Sequence, residues 1–153
     1  MESTLVLIKP SGVERALIGR IIARFESKGL IIAGLKMMQL DEKILREHYS
    51  HLVDKPFFPS LLNAMMASPV IALCLKGKDV VEVVRAMAGV TDASKALPGT
   101  IRGDFGMSNQ ENIIHASDSP ENATTEIKRF FHDKEIFDYT PCIIKFLYSP
   151  DGK

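Results

Sequence analysis

The order of segments along the chain predicts an α+β fold: β-α-β-β-α-β, with four strands in one antiparallel sheet and helices on one face. Three observations carry this. Short apolar, β-branched runs at 4–8, 30–39, 70–75 and Ile113-Ile114 read as strands. Apolar residues recur at three- and four-residue spacing between them, as on amphipathic helices. Proline, glycine and aspartate stand at the junctions, where they turn the chain or cap helices.

Length and composition set the frame. The 153 residues suit one domain spanning 1–153. A domain of this size buries roughly 70% of its extended-chain surface, enough for a core without staples. Apolar residues make up 46% of the chain, too many for a disordered one. The longest apolar runs, such as 70–75, are far too short to cross a bilayer. Basic and acidic residues number 19 each, so no basic nucleic-acid surface is expected. Met1-Glu2-Ser3 opens with neither the basic nor the apolar stretch of a secretion signal. Cys74 and Cys142 are too few for a disulfide framework or a zinc site. A cytoplasmic location is the simplest reading.

The elements follow in order. The first strand, 4–8, stops at Lys9-Pro10-Ser11-Gly12, a turn sequence. Leu17, Ile18, Ile21, Ile22 and Phe25 form the stripe of a helix over 16–28, with Gly29 as its C-cap. The second strand covers 30–39. Asp41 caps a helix over 42–52 that carries Tyr49. Lys55-Pro56-Phe57-Phe58-Pro59 reads as a stiff link, and Ser60 as the cap of a short helix with Leu61, Leu62 and Met65. After the strand at 70–75, Asp79 caps a helix over 80–88 that carries Arg85. Residues 89–111 show no period, and a loop that long in a compact domain points to function or assembly. Ile113-Ile114 then leads to His115. Strand alternation predicts Ile113 and His115 on one face, Ile114 and Ala116 on the other. Ser119-Pro120-Glu121 is a helix start, with a hydroxyl cap, proline at the first position and an acid in the first turn. That helix runs over 120–131, and 140–147 reads as a last strand. Without the added helices the order is that of the ferredoxin-like plan.

One stretch concentrates the chemistry. Asn112-Ile113-Ile114-His115-Ala116-Ser117-Asp118-Ser119 sets a histidine at a strand end, just before a helix N-terminus. This octapeptide resembles the signature of the nucleoside diphosphate kinases, Asn-x-x-His-[Gly/Ala]-Ser-Asp-Ser, at every defined position. The likeness extends from Thr4 to about Tyr139 and includes 98–105, Pro-Gly-Thr-Ile-Arg-Gly-Asp-Phe. Ser11 stands where the family's Lys-Pro-Asp-Gly turn has aspartate, and Asn109 where an apolar residue usually flanks the base.

The resemblance implies a two-stage exchange. A nucleoside triphosphate phosphorylates His115 and leaves as diphosphate, and a second diphosphate takes the phosphoryl group. Histidine suits this work. With a reference pKa near 6.5 it is mostly neutral at pH 7, and one ring nitrogen can attack while the other donates a hydrogen bond. By resemblance, Glu126 accepts that bond and Ser117 bonds nearby. No glycine-rich phosphate loop is present, so the site must be built from dispersed groups. The family pattern assigns nucleotide binding to Lys9, Tyr49, Phe57, Leu61, Arg85, Thr91, Arg102 and Asn112. Phe57 and Leu61 form the base wall, Arg85 and Arg102 meet phosphate, and Lys9 and Asn112 bond the ribose 3′-hydroxyl. It also implies Mg²⁺ held mainly by the nucleotide phosphates, with no protein ligand. It implies a homo-oligomer, a hexamer in first place and a tetramer as the alternative. Two other classes remain: a non-catalytic nucleotide-binding relative, and a histidine phosphocarrier serving protein partners. The joint presence of His115, Asn112, Lys9, Arg102 and Glu126 argues against the first, and the base-wall residues against the second.

Overall fold

The computed structural model describes residues 1–151. Its four strands, β1 (Glu2–Ile8), β2 (Ile31–Met38), β3 (Val70–Gly77) and β4 (Ile114–Ala116), form a sheet of order β2-β3-β1-β4, with every neighbouring pair antiparallel. β1 (Glu2–Ile8) lies inside the sheet, and its last five residues are fully buried. That burial explains the unbroken apolar run, because both faces of the strand are covered. On one face Val6 and Ile8 pack with Leu73 and Leu75 of β3 (Val70–Gly77) against two helices. These are the crossover helices of the plan, α2 (Ile18–Lys28) and α5 (Val80–Ala88), on one face as the sequence predicts. On the other face Leu5, Leu7, Ala72 and Cys74 meet α3 (Glu42–His48), α4 (Phe58–Met66) and α7 (Pro120–Phe130). The added helices thus cover the side that a bare ferredoxin-like sheet leaves open.

Local chemistry sets most boundaries. Gly29 ends α2 in the left-handed conformation at φ 94°, and Leu30 N–H returns to Phe25 O at 3.1 Å. Asp41 caps α3 by accepting from Ile44 N–H at 2.9 Å. Ser119 caps α7 by accepting from Asn122 N–H at 3.1 Å, with Pro120 in the first turn. β2 (Ile31–Met38) carries a bulge between Ile32 and Gly34. The carbonyl of Ala33 at this bulge accepts from Phe137 N–H at 2.8 Å.

Several expectations change. Lys9-Pro10-Ser11-Gly12 is not a plain turn but enters α1 (Pro10–Glu14), which Pro10 begins well because the first helical N–H has no partner to lose. α3 stops at His48, and a 3₁₀ turn, Ser50–Leu52, replaces its predicted end. Ser60 is not a cap: α4 begins at Phe58 with Pro59 in its first turn, so Ser60 already lies within it. The long 89–111 segment contains a 3₁₀ turn, Ala93–Lys95, and α6 (Ile101–Phe105). Five residues are too few to show a helical period. Residues 140–147 are not a strand but hold a 3₁₀ turn, Cys142–Phe146. Pro141 lacks an N–H to give a ladder, and Ile143 and Phe146 stay exposed, so no sheet face is there to order them.

Candidate active site

β4 (Ile114–Ala116) pairs with β1 so that His115 lies opposite Leu7. Ile114 and Ala116 point into the α2/α5 side of the core, as alternation predicts. Ile113 does not share the His115 face. Its backbone is left-handed at φ 76°, and its side chain is buried with Ile114. A β-branched residue in that region is strained and persists only where its surroundings hold it. Three hydrogen bonds do so here. Lys9 N–H donates to Ile113 O at 2.8 Å. The Arg102 guanidinium reaches Asn112 O at 3.3 Å through Nε and Ile114 O at 2.8 Å through Nη2. Its Nη1 also donates to Gly89 O at 2.9 Å. Arg102 therefore ties α6 to the approach of β4 while two of its five N–H groups stay available.

His115 faces α7. Its Nε2 lies 3.0 Å from Glu126 Oε2, and Ser117 Oγ donates to the same oxygen at 2.6 Å. Leu5 N–H donates in turn to Ser117 Oγ at 3.3 Å. Burial alone would raise the Glu126 carboxyl, but the bonds from His115 and Ser117 and the attraction of His115 outweigh it and hold it below its ordinary value. An ionised carboxylate can only accept, so in the neutral form of the His115 ring Nε2 carries the proton and Nδ1 the lone pair. The chain order left open which nitrogen is free; this contact assigns it.

A cleft of about 480 Å³ opens over these groups. Lys9, Tyr49, Arg85, Thr91, Arg102, Asn112, His115 and Glu126 all line it. Lys9 Nζ donates to Asn112 Oδ1 at 2.6 Å, and Asn112 Nδ2 to Thr91 O at 2.9 Å. Burial, reinforced by the Arg102 charge and opposed by Glu111, brings the Lys9 amine down to about 8. Burial and then Arg85 bring Arg102 down to about 10, so it stays charged at neutral pH. Arg129 adds a fourth cation to the lining, against the carboxylates of Glu47, Asp118 and Glu126, so the cleft carries a small positive excess in a chain with no net charge. Three expected residues lie outside this lining. Ser117 is fully buried behind Glu126. Phe57 is half exposed at the start of α4, and Leu61 packs partly buried against the α3/α4/α7 side of the core. Gln110 Nε2 donates to Ser60 Oγ at 3.3 Å, which brings the loop carrying Asn109 against α4.

Sequence reasoning missed His48 and Arg129, which both line the cleft. Arg129 had a signal: it stands three residues after Glu126, on the same helical face. His48 had only its place beside Tyr49.

No helix among the described residues is long and apolar enough to cross a membrane. A nucleoside diphosphate kinase family model matches residues 2–136. A nucleoside diphosphate kinase of Parabacteroides distasonis is 56% identical over 151 residues, covering 99% of each chain. Human nucleoside diphosphate kinase A is 48% identical, covering 97% of each chain. The solved structure of a halophilic nucleoside diphosphate kinase from Halobacterium salinarum, in complex with CDP, superposes with a TM-score of 0.94. It is 43% identical and covers 97% of this chain and 99% of that one. The match of fold, length and sequence over nearly the whole chain places it in the nucleoside diphosphate kinase family.

Proposed function

We propose that this chain moves the γ-phosphoryl group of a nucleoside triphosphate to a nucleoside diphosphate, with His115 as the carrier. The observation that carries the reading is the Ser117–Glu126–His115 chain of hydrogen bonds. It holds the proton on Nε2 and leaves the Nδ1 lone pair for the cleft. In the first half-reaction Nδ1 attacks the γ-phosphorus, the bond to the β-γ bridging oxygen breaks, and diphosphate departs. In the second, a terminal oxygen of another diphosphate attacks the phosphorus and the P–N bond breaks. Phosphoryl transfer depends mainly on alignment and on charge around the transferring oxygens. Lys9, Arg85 and Arg102 supply that charge, and Thr91 closes the phosphate subsite beside them. Tyr49 lines the cleft next to His48. Mg²⁺ would be held by the substrate phosphates and would supply charge there: it prefers oxygen ligands, and the one cluster of metal-ligand type among the described residues contains two histidines.

Lys9 and Asn112, already bonded to each other, present an amine and an amide to the ribose 3′-hydroxyl. Phe57 and Leu61 offer the base apolar contact and no hydrogen-bond code, so purines and pyrimidines both fit. The CDP held by the Halobacterium relative supports a diphosphate in this cleft. We assign the whole chain to one catalytic domain, working in the cytoplasm as a homo-oligomer, a hexamer in first place with a tetramer as the alternative. Exposed Leu35 and Met37 on the edge strand β2 and exposed Val90, Leu97 and Phe146 support association. Sedimentation at the mass of one 17.0 kDa chain would contradict it.

The sugar supplies the test. A 3′-hydroxyl bonded to the leaving oxygen stabilises charge that develops only in the transition state. Single-turnover phosphorylation of His115 should be slower with 3′-deoxy-ATP than with ATP by on the order of 10²-fold at saturation. The 2′-deoxy analogue should lose little. Equal maximal rates for all three would remove the sugar from the mechanism.

A further inference from the structure

His48 has no part in the relay just described, yet its ring meets His115 edge to face, with centroids 4.6 Å apart and planes at 81°. It is buried, only 7% exposed, and is enclosed by Tyr49 and Phe130, whose centroids lie 4.6 and 5.1 Å away. Arg129 Nη1 stands 3.0 Å from His48 Nδ1, and Arg129 Nε is 3.2 Å from Glu47 Oε1. His48 Nε2 is buried with no hydrogen-bond partner.

His48, His115 and Glu126 bring three donor atoms within 4.8 Å of one another, a set that resembles a metal site. The Arg129 contact rules against that reading. A guanidinium only donates, so His48 Nδ1 must accept, and the neutral ring carries its proton on Nε2. A metal-bound imidazole needs the opposite: a bare nitrogen on the metal and an N–H given to an acceptor behind it. Burial, with the charges of His115 and Arg129, pushes His48 down to about 3, so it does not become a cation beside His115 at neutral pH.

The remaining consequence is mechanical. One hydrogen bond from Nε2 to Glu126 fixes a point on the His115 ring but leaves the ring free to rock about that bond. A second ring set nearly square to it removes the rocking. We propose that His48 and Arg129 act as a positioning pair for His115: Arg129 fixes the tautomer of His48, and the His48 ring holds the plane of the His115 ring so that Nδ1 points into the cleft. This rests on His115 being the phosphoryl carrier. A misplacement of about 1 Å in such an arrangement costs on the order of 10² in rate.

Two variants and one spectrum test it. His48→Asn keeps an acceptor for Arg129 but loses the ring; His48→Phe keeps the ring but loses both nitrogens. In the wild-type protein, ATP alone should phosphorylate His115; if it does not, the carrier assignment fails before this inference is reached. Given that, His48→Asn should slow single-turnover phosphorylation by about 10- to 100-fold at saturating ATP with unchanged ADP affinity. His48→Phe should recover most of the rate. An Asn variant as fast as wild type, a Phe variant as slow as the Asn one, or a loss confined to nucleotide affinity would each overturn the proposal. Nitrogen-15 spectra of wild-type protein make the test independent of how the variants fold. His48 should appear as the neutral Nε2–H tautomer from pH 5 to 8, and a protonated ring or an Nδ1–H tautomer would contradict it.

Discussion

Lys9 shows at the level of one residue how the cleft trades folding for binding. Its amine is lowered to about 8, first by burial and then by Arg102. The charged form is therefore penalised in the folded, ligand-free protein. That penalty is fully present below about pH 8 and fades as pH rises towards the ordinary lysine value of 10.5, so over this window the group makes the free protein more stable with rising pH. Binding responds in the opposite sense. A diphosphate needs the cation and raises its proton affinity, so ADP affinity should be insensitive to this group below pH 8. Above it, the apparent Kd should climb by up to about tenfold per pH unit. Calorimetric titration between pH 7 and 10 checks this, with Lys9→Met expected to flatten the profile. A wild-type profile flat to pH 10 would show that the Lys9 charge is not used.

The approach to β4 raises the same question for an element. Ile113 at φ 76° is a poor choice for that backbone, and Arg102 from α6 holds the carbonyls on either side of it, at Asn112 and Ile114. Arg102→Lys keeps the charge but loses the planar fork; Asn112 O keeps the Ile114 N–H at 2.9 Å, but Ile114 O is left without the guanidinium donor. An unsatisfied buried carbonyl costs about 1–3 kcal/mol, so the variant should lose at least about 1 kcal/mol in urea unfolding, in addition to any loss of phosphate binding. A change within about 0.5 kcal/mol, the range of ordinary surface substitutions, would reduce Arg102 to a ligand contact alone. These elements also show what a sequence can reveal. The caps at Asp41 and Ser119, proline at the start of α7 and glycine at the end of α2 were legible because each acts on neighbours a few residues away. The Arg102 clasp was not, because its carbonyls come from two separate stretches and backbone acceptors carry no residue signature. The misread strand at 140–147 had the right composition but no sheet edge to join. His48 and Arg129 lie 81 positions apart, and only the packing of α3 against α7 brings them together.

Across the whole molecule, the two-sided core and the site depend on the same strand. β1 contributes Val6 and Ile8 to one face and Leu5 and Leu7 to the other, and then delivers Lys9 to the cleft. β4 pairs with it at the edge of the sheet and sets His115 opposite Leu7, so the nucleophile is held against the fully buried strand that also delivers the cation. A chain with no net charge thereby presents Lys9, Arg85, Arg102 and Arg129 in the cleft that holds His115. The most direct measurement of the central claim is intact mass after incubation with ATP and Mg²⁺ and no acceptor. One acid-labile phosphate per chain is expected, mapped to His115, absent from His115→Ala, and removed by adding a nucleoside diphosphate. No phosphate, a phosphate on another residue, or a phosphohistidine that diphosphate does not discharge would contradict it.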